Sequence, residues 1–303
     1  MNGVVRSVAV LMTCHNRRES TLRCLRRLKE QTGVELVQTT TFLVDDGSTD
    51  GTSEAVRAEF PDTHIIAGDG SLYWTGGMRR AMDAALDEDF DFYLWLNDDT
   101  ELYRDALARI LTAHEVISQS ESTDVLVVGS AQDPVTGELT YGGAVRASWW
   151  HPLRFKRIAP AMDTPRPCDV MNGNFVLISR AAGARIGNLH PALRHTSGDY
   201  DYALRAARLG VPSWIAPGYY GTCARNTVTG SWREPGLSLI GRYRRLLGPK
   251  GHPMKPRAVY MAEHGGLLWP LLFATVYLTL PIRHVAAYVE TRWMKSDHIR
   301  ILD

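Results

Sequence analysis

Two pairs of adjacent carboxylates constrain this chain more than any other feature in it. Asp45-Asp46 closes the β-branched and aromatic run 40–44, and Asn97-Asp98-Asp99 closes the apolar run 92–96. Each run has the length of one buried strand and is too short for a buried helix. Strand and helix signals alternate around them. Residues 8–12 are a short apolar run, and 18–31 carry Leu22, Leu25 and Leu28 at helical spacing. A helix capped by Ser48, Thr49 or Asp50 follows to about residue 58, then a third strand at 64–67. A helix over 77–86 has the small residues Ala81, Ala84 and Ala85 on one side, which must lie close to a neighbour. A helix at 106–117 and a strand at 125–129 complete the first half.

This alternation implies an α/β fold: a mostly parallel sheet with helices on both faces. Ligands of such sheets bind beyond the carboxyl ends of the strands. Both acidic pairs stand at strand ends, so both are expected on one rim. The second half changes character. Residues 133–146 read as a hairpin turning at Thr136-Gly137, and 149–167 as a long basic and aromatic connection. A strand at 176–179, a helix at 199–209 and a short strand at 212–216 follow. From about Leu237 the chain is helical, basic and then strongly apolar. We therefore expect a first domain over 1–236, with halves at about 1–130 and 131–236, and a basic, then apolar, helical tail over 237–303.

Carboxylates paired at a strand end suit a hard divalent cation, which prefers oxygen ligands. A carboxylate there can equally cap the next helix. The segment Asp45-Asp46-Gly47-Ser48-Thr49-Asp50-Gly51-Thr52 is acidic where a phosphate cradle would be glycine-rich and basic. It can accept hydrogen bonds from a base or a ribose, or form a turn and a cap. No GxGxxG follows the first strand and no GxxxxGK[ST] occurs, which argues against dinucleotide and P-loop enzymes. Asp199 opens the late helix, where it can cap or act as a general base. Asp201 and Arg205 stand at i and i+4 and can pair. Trp74-Thr75-Gly76-Gly77-Met78-Arg79 joins an aromatic, two glycines and a cation. The glycines permit close backbone approach, and the arginine can meet phosphate. Met171-Asn172-Gly173-Asn174 reads as another tight turn facing a ligand. A formal net charge of +1 gives no global field towards nucleic acid, so no such partner is expected. The four cysteines form no CxxC pair and no zinc spacing, and are read as free thiols of a reducing cytoplasm.

Together, Thr13-Cys14-His15-Asn16-Arg17, Val44-Asp45-Asp46-Gly47-Ser48-Thr49-Asp50-Gly51-Thr52, Asn97-Asp98-Asp99 and Gly198-Asp199-Tyr200-Asp201 resemble the family 2 glycosyltransferases of the GT-A fold. The resemblance spans about residues 7–226. It implies a GT-A-like, Rossmann-type sheet with a C-terminal helical extension, and an inverting, single-displacement transfer from a nucleotide-diphosphate sugar. It also implies nucleotide-sugar contacts at Thr13, Asn16, Asp45, Asp46, Trp74, Gly76, Gly77, Arg79, Asn97 and Asp98. A divalent cation (Mg or Mn) would be held by Asp99 with Asp98, and Asp199 would be the catalytic base. Asn172, Asn174 and Asp201 would face the acceptor, a glycan or lipid-linked glycan. Asn97 stands where the family usually has its first acid, and Gly198 where it has Glu before the base. The family's late metal-binding His has no match near 220–225, which leaves the third ligand open. The segment Gly70 to Met78 is similar to transferases of bacterial surface polysaccharide, of rhamnosyl and galactofuranosyl type. A nucleotidyltransferase and a non-catalytic, membrane-associated nucleotide-sugar-binding protein are the alternatives. The first lacks its basic glycine-rich loop, and the second would have lost the acids.

The run 267–280 is nearly unbroken and apolar, shorter than the roughly 20 residues that span a bilayer. Arg242, Arg244, Arg245, Lys250, Lys255 and Arg257 precede it, and Arg283 and His284 follow. Apolar residues flanked by cations suit an anionic membrane surface; a core-packed helix or a homodimer interface is the other reading. No signal-peptide pattern opens the chain. The expected place is the cytoplasm, on the inner face of the cell membrane.

Overall fold

The computed structural model of the chain describes residues 5–120 and 123–285. The chain divides into two compact units between Arg225 and Asn226. The first carries β1 (Arg6–Cys14), α1 (Arg18–Lys29), β2 (Val37–Asp45), α2 (Thr52–Glu59), β3 (His64–Ala67), α3 (Tyr73–Leu86), β4 (Phe92–Leu96), β5 (Glu101–Leu102) and α4 (Ala106–Ser120). It continues with β6 (Leu126–Gln132), β7 (Leu139–Tyr141), β8 (Gly143–Arg146), β9 (Phe155–Arg157), β10 (Arg166–Cys168) and β11 (Val170–Met171). It ends with β12 (Phe175–Ser179), α5 (Arg180–Ile186), α6 (Gly198–Arg208) and β13 (Ser213–Thr222).

The main sheet runs β10-β13-β6-β12-β4-β1-β2-β3, with β5 on β13 and β7 on β6; β11-β8-β9 form a second, small sheet. Strands β1 to β4 are parallel, and the register sets Cys14 beside Asp45 and Asp45 beside Ala67. Their carboxyl ends therefore share one rim, and both acidic pairs stand on it. The sheet is the expected α/β arrangement, and its central strands are covered on both faces. Residues 8–12 and 94–96 are wholly buried, which is why they read as continuous apolar runs rather than alternating ones. Helix α1 buries Leu22, Leu25 and Leu28 as its spacing predicts.

Helix α3 buries Gly77, Ala81 and Ala85. A Cβ on Gly77 would lie 2.1 Å from the Thr13 hydroxyl on β1, so glycine there lets helix and strand touch. The helix starts at Tyr73, four residues before its expected start. Its N-cap Leu72 has no polar side-chain atom to offer. Asp46 supplies the cap from the neighbouring loop, accepting from the Leu72 and Tyr73 amides at 3.2 and 2.8 Å. The expected hairpin also differs. Its turn joins β6 to β7, while residues 143–146 leave for the second sheet. The connection 149–167 carries β9 and the start of β10. Strand β12 enters antiparallel between β4 and β6, which brings its first residue beside the last residue of β4, Phe175 facing Leu96.

The second unit carries α7 (Leu239–Leu247), α8 (Met254–His264) and α9 (Trp269–Leu278). Pro270 lies in the first turn of α9, where its missing N–H costs nothing, so it starts this helix rather than interrupting it. At ten residues α9 is about 15 Å long, half the thickness of a bilayer core. No helix among the described residues is long and apolar enough to cross a membrane. The expected cationic cluster is partly internal. Arg242 is buried and bonded to the Trp232 carbonyl and to His284, and Arg245 pairs with Glu234. Arg244, Lys250 and Lys255 remain exposed. Residues 286–303 of the expected tail lie outside the described residues.

Candidate active site

The rim is assembled from four loop-to-element junctions. After β1, the Asn16 amide donates to Ser48 Oγ, and Asn16 Oδ1 accepts from the Thr49 amide at 2.7 Å. Asp50 accepts from the Arg18 amide. Asn16 thus ties the first junction to the second, and its φ of +51° is a conformation that asparagine tolerates. Asp45 accepts from the Ser48 amide and the Ser53 hydroxyl. Asp46 accepts from Gly70, Leu72 and Tyr73. Both carboxylates are buried. The oxygens of the strand-two aspartates, expected to meet a base, hold the loops 46–53 and 68–73. The Thr13 side chain packs on Gly77.

At the end of β4, three residues take three roles. Asn97 Oδ1 accepts from Trp74 Nε1 at 2.7 Å, and the Asn97 amide donates to the Asn174 carbonyl at 3.0 Å. Asn97 is therefore a bracket for the Trp74 indole and for the 171–174 turn. Asp98 is buried, and its Oδ2 has no hydrogen-bond partner. Burial pushes its carboxyl up to about 7, with Asp99 adding to the rise and Arg17 opposing it. Asp99 is more open. It accepts from Arg17 at 2.6 Å and from the Cys223 thiol at 3.5 Å. Arg17 also reaches Asp98 at 3.1 Å, so one guanidinium bridges both acids. Sequence reasoning gave no role to Arg17 or Cys223, although the chain pattern at 13–17 included the former.

The third and fourth junctions meet over Gly173. A Cβ on Gly173 would lie 2.3 Å from the Trp74 ring, and one on Gly198 would lie 2.3 Å from the Thr75 side chain. Only glycine lets the 171–174 turn and the start of α6 approach α3 this closely. Asp199 is half-buried at the second position of α6. It accepts from the Tyr200 amide at 2.9 Å and the Gly173 amide at 3.3 Å. Burial raises its carboxyl from 3.8 to about 6, against the lowering by these amides and by the Asn172 side chain. Desolvation thus outweighs the helix start, which favours the anion. Asn172 Oδ1 is buried without a partner beside it. Cap and candidate base are the same carboxylate.

The turn 171–174 joins the two halves of the site: its Gly173 amide holds Asp199 and its Asn174 carbonyl holds Asn97. Three residues there have left-handed backbones although they are not glycine: Asn16, Tyr73 and Ser197, at φ +51°, +55° and +69°. All sit at rim junctions, where strain of this kind concentrates when surrounding contacts enforce it.

Asp201 is wholly buried and pairs with Arg205 at 2.9 Å. Arg79 donates to the Leu189 carbonyl and lies 3.9 Å from Asp83. It lines an open cleft of about 500 Å³ with Arg80, Arg194 and Gly76. Asn174 is buried, with its side-chain amide 3.6 Å from Cys223. All four cysteines are free, and burial raises the thiols of Cys14, Cys24, Cys168 and Cys223.

The donor set at β4 fits a divalent cation. It offers adjacent carboxylates, one with a buried, unpartnered oxygen, and a positive group already bridges them.

The sequence matches the family model described as glycosyl transferase family 2 over residues 9–161. No curated protein matches the chain significantly. Among solved structures, a crystal structure of GalNAc-T7 with UDP, GalNAc and Mn2+ superposes with a TM-score of 0.58 at 15% identity. The match covers 74% of this chain and 44% of that one, so the chain spans less than half of that neighbour. The mannosyltransferase PcManGT from Pyrobaculum calidifontis, in complex with GDP-Man and Mn2+, superposes with a TM-score of 0.52 at 18% identity. That match covers 97% of this chain and 89% of the other. At these identities the likeness shows a common fold.

Proposed function

The chain belongs to glycosyl transferase family 2, and on that premise we propose that it moves a sugar from a nucleoside-diphosphate donor to an acceptor hydroxyl with inversion at the anomeric carbon. The observation that carries the reading is the 171–174 turn. It links an acidic pair suited to a cation–diphosphate to a half-buried carboxylate whose proton affinity suits a base near neutral pH.

Asp98 and Asp99 would hold the cation, and the two neighbouring folds were solved with Mn2+. Bound there, a divalent cation neutralises charge on the leaving diphosphate. The chain's own residues do the rest. The loops braced by Asp45 and Asp46 shape the nucleotide end of the rim. Asn97 and Gly173 fix the Trp74 indole over the junction of donor and acceptor sides. Asp199 accepts the proton of the acceptor hydroxyl as the oxygen bonds to C1. The bond from C1 to the diphosphate oxygen breaks in the same displacement, and the nucleoside diphosphate leaves with its electron pair. The Asn172 side chain, which lowers the proton affinity of Asp199, would hold that carboxylate for the acceptor side. Holding the reacting groups in line supplies much of the rate.

The acceptor we propose is a bacterial cell-surface glycan or lipid-linked glycan, and the donor sugar a hexose or deoxyhexose. The second unit supports a place at the membrane surface. Leu271 and Leu278 of α9, Leu267 before it and Ile282 after it are all exposed. A screen of UDP, GDP and dTDP by thermal shift, with Mn2+ and with chelator, tests the donor half. Release of the same nucleoside diphosphate from its sugar conjugates tests turnover. Absence of any cation-dependent shift would remove the donor reading.

A further inference from the structure

The hairpin formed by β8 and β9 presents the most exposed large aromatic side chain of the first unit. Trp149 is 97% exposed and Trp150 is 51% exposed. Burying such indoles away from water is favourable, so a surface that leaves two adjacent ones open has a partner in view. The loop that carries them is held in shape. The Ala147 amide donates to the Arg154 carbonyl at 2.7 Å, the Arg154 amide to the His151 carbonyl at 3.1 Å, and the His151 amide to Ser148 Oγ at 3.2 Å. The Trp150 and His151 rings pack at 5.4 Å.

The charge around the indoles identifies the partner. Residues 143–162 contain Arg146, Arg154, Lys156 and Arg157 and no Asp, Glu, Asn or Gln. Arg157 is used internally, on the Thr140 carbonyl. Arg146, Arg154 and Lys156 are exposed, and among the described residues none lies in an ion pair. A glycan platform sets its tryptophan among carboxylates and amides that bond sugar hydroxyls, and this stretch has neither. Indoles with exposed cations match a bilayer surface, where tryptophan settles at headgroup level and cations meet lipid phosphate; the Asp169 carboxylate beside the hairpin is taken by the Arg146 amide at 2.7 Å.

We propose that the β8–β9 hairpin docks the first unit on an anionic membrane, with Trp149 and Trp150 in the headgroup layer and Arg146, Arg154 and Lys156 on lipid phosphates. This contact is independent of the transferase reading, because vesicle binding requires no turnover. It has a consequence for that reading. Phe155 of β9 packs edge-on against Tyr200 at 5.5 Å, and Tyr200 follows Asp199. A docked hairpin therefore holds the acceptor end of the rim near the bilayer, where a lipid-linked acceptor would present its hydroxyl.

The test uses the full chain and vesicles of phosphatidylcholine, with and without phosphatidylglycerol. Wild type is expected to co-sediment with the anionic vesicles and to shift its tryptophan emission to the blue. Trp149→Ala with Trp150→Ala should lower the partition coefficient by roughly ten-fold and remove most of that shift. Arg154→Glu and Lys156→Glu should each lower partitioning by at least roughly five-fold at low salt and much less at high salt. The exposed positions allow these changes without loss of the fold, which circular dichroism checks. Equal partitioning of wild type and the double-alanine variant overturns the proposal. So does a variant that keeps vesicle binding but loses dimerisation or affinity for a free oligosaccharide acceptor, which would give the indoles to a second copy or to glycan.

Discussion

Replacing Asp199 by Asn separates what the carboxylate does for chemistry from what it does for the helix. In the folded chain its pKa stands at about 6 in place of 3.8. That difference corresponds to about 3 kcal/mol between the two protonation states. The folded state holds the extra proton between those values. The group's contribution to stability is therefore complete below about pH 4 and is lost as the pH rises through about 6. An asparagine never ionises and escapes this loss. It has one acceptor oxygen, however, where Asp199 gives separate oxygens to the Tyr200 and Gly173 amides. One hydrogen bond of about 1 kcal/mol goes. Partial exposure reduces the electrostatic gain, so Asp199→Asn should match wild type within about 1 kcal/mol at pH 4, where the carboxyl is protonated, and gain about 1 kcal/mol relative to it by pH 8. Urea melts at both pH values read this difference. Turnover, followed as released nucleoside diphosphate, should fall by roughly 10²–10⁴ with donor binding intact. The wild-type rate should rise with pH and flatten above about 6, and the variant should lack that limb. Near-wild-type turnover, or the same acid limb in the variant, would refute the base assignment and leave Asp199 a cap.

Asp99→Ala should lose most Mn2+-assisted affinity for a nucleoside diphosphate in calorimetry, and equal wild-type binding in chelator would remove the cation from the site. Gly77→Ala should destabilise the chain by about 1–3 kcal/mol, because its Cβ would lie 2.1 Å from the Thr13 hydroxyl. Adding Thr13→Ala should restore part of that loss in thermal melts, as contacting sites couple; strict additivity would count against the contact. In the second unit, Leu271→Gln with Leu278→Gln should weaken sedimentation with anionic vesicles while nucleotide binding stays. A lost dimer with unchanged vesicle binding would make that face a subunit interface.

The sequence alone determined the parallel-sheet half of the fold and the rim on which the acids stand. Both follow from local rules. A strand covered on both faces must be apolar throughout, as residues 8–12 and 92–96 are, and a polar residue marks where such a strand leaves the core. The family pattern placed Asp199 at a helix start by the same local logic. Tertiary structure decided what each acid and amide is bonded to. Asp46 caps α3 from 27 residues away, Asn97 holds an indole 23 residues before it, and Cys223 reaches Asp99 across 124 residues. Asp201 stands four residues before Arg205 in the sequence, and only the folded chain shows that the two pair and that Asp201 is wholly buried. Sequence spacing reports periodicity along one element, and a carboxylate keeps the same letter whether its oxygens face a ligand or a neighbouring loop. The partner of a polar group is fixed when distant junctions pack on glycines such as Gly77, Gly173 and Gly198, because only then do its donors and acceptors come within bonding distance.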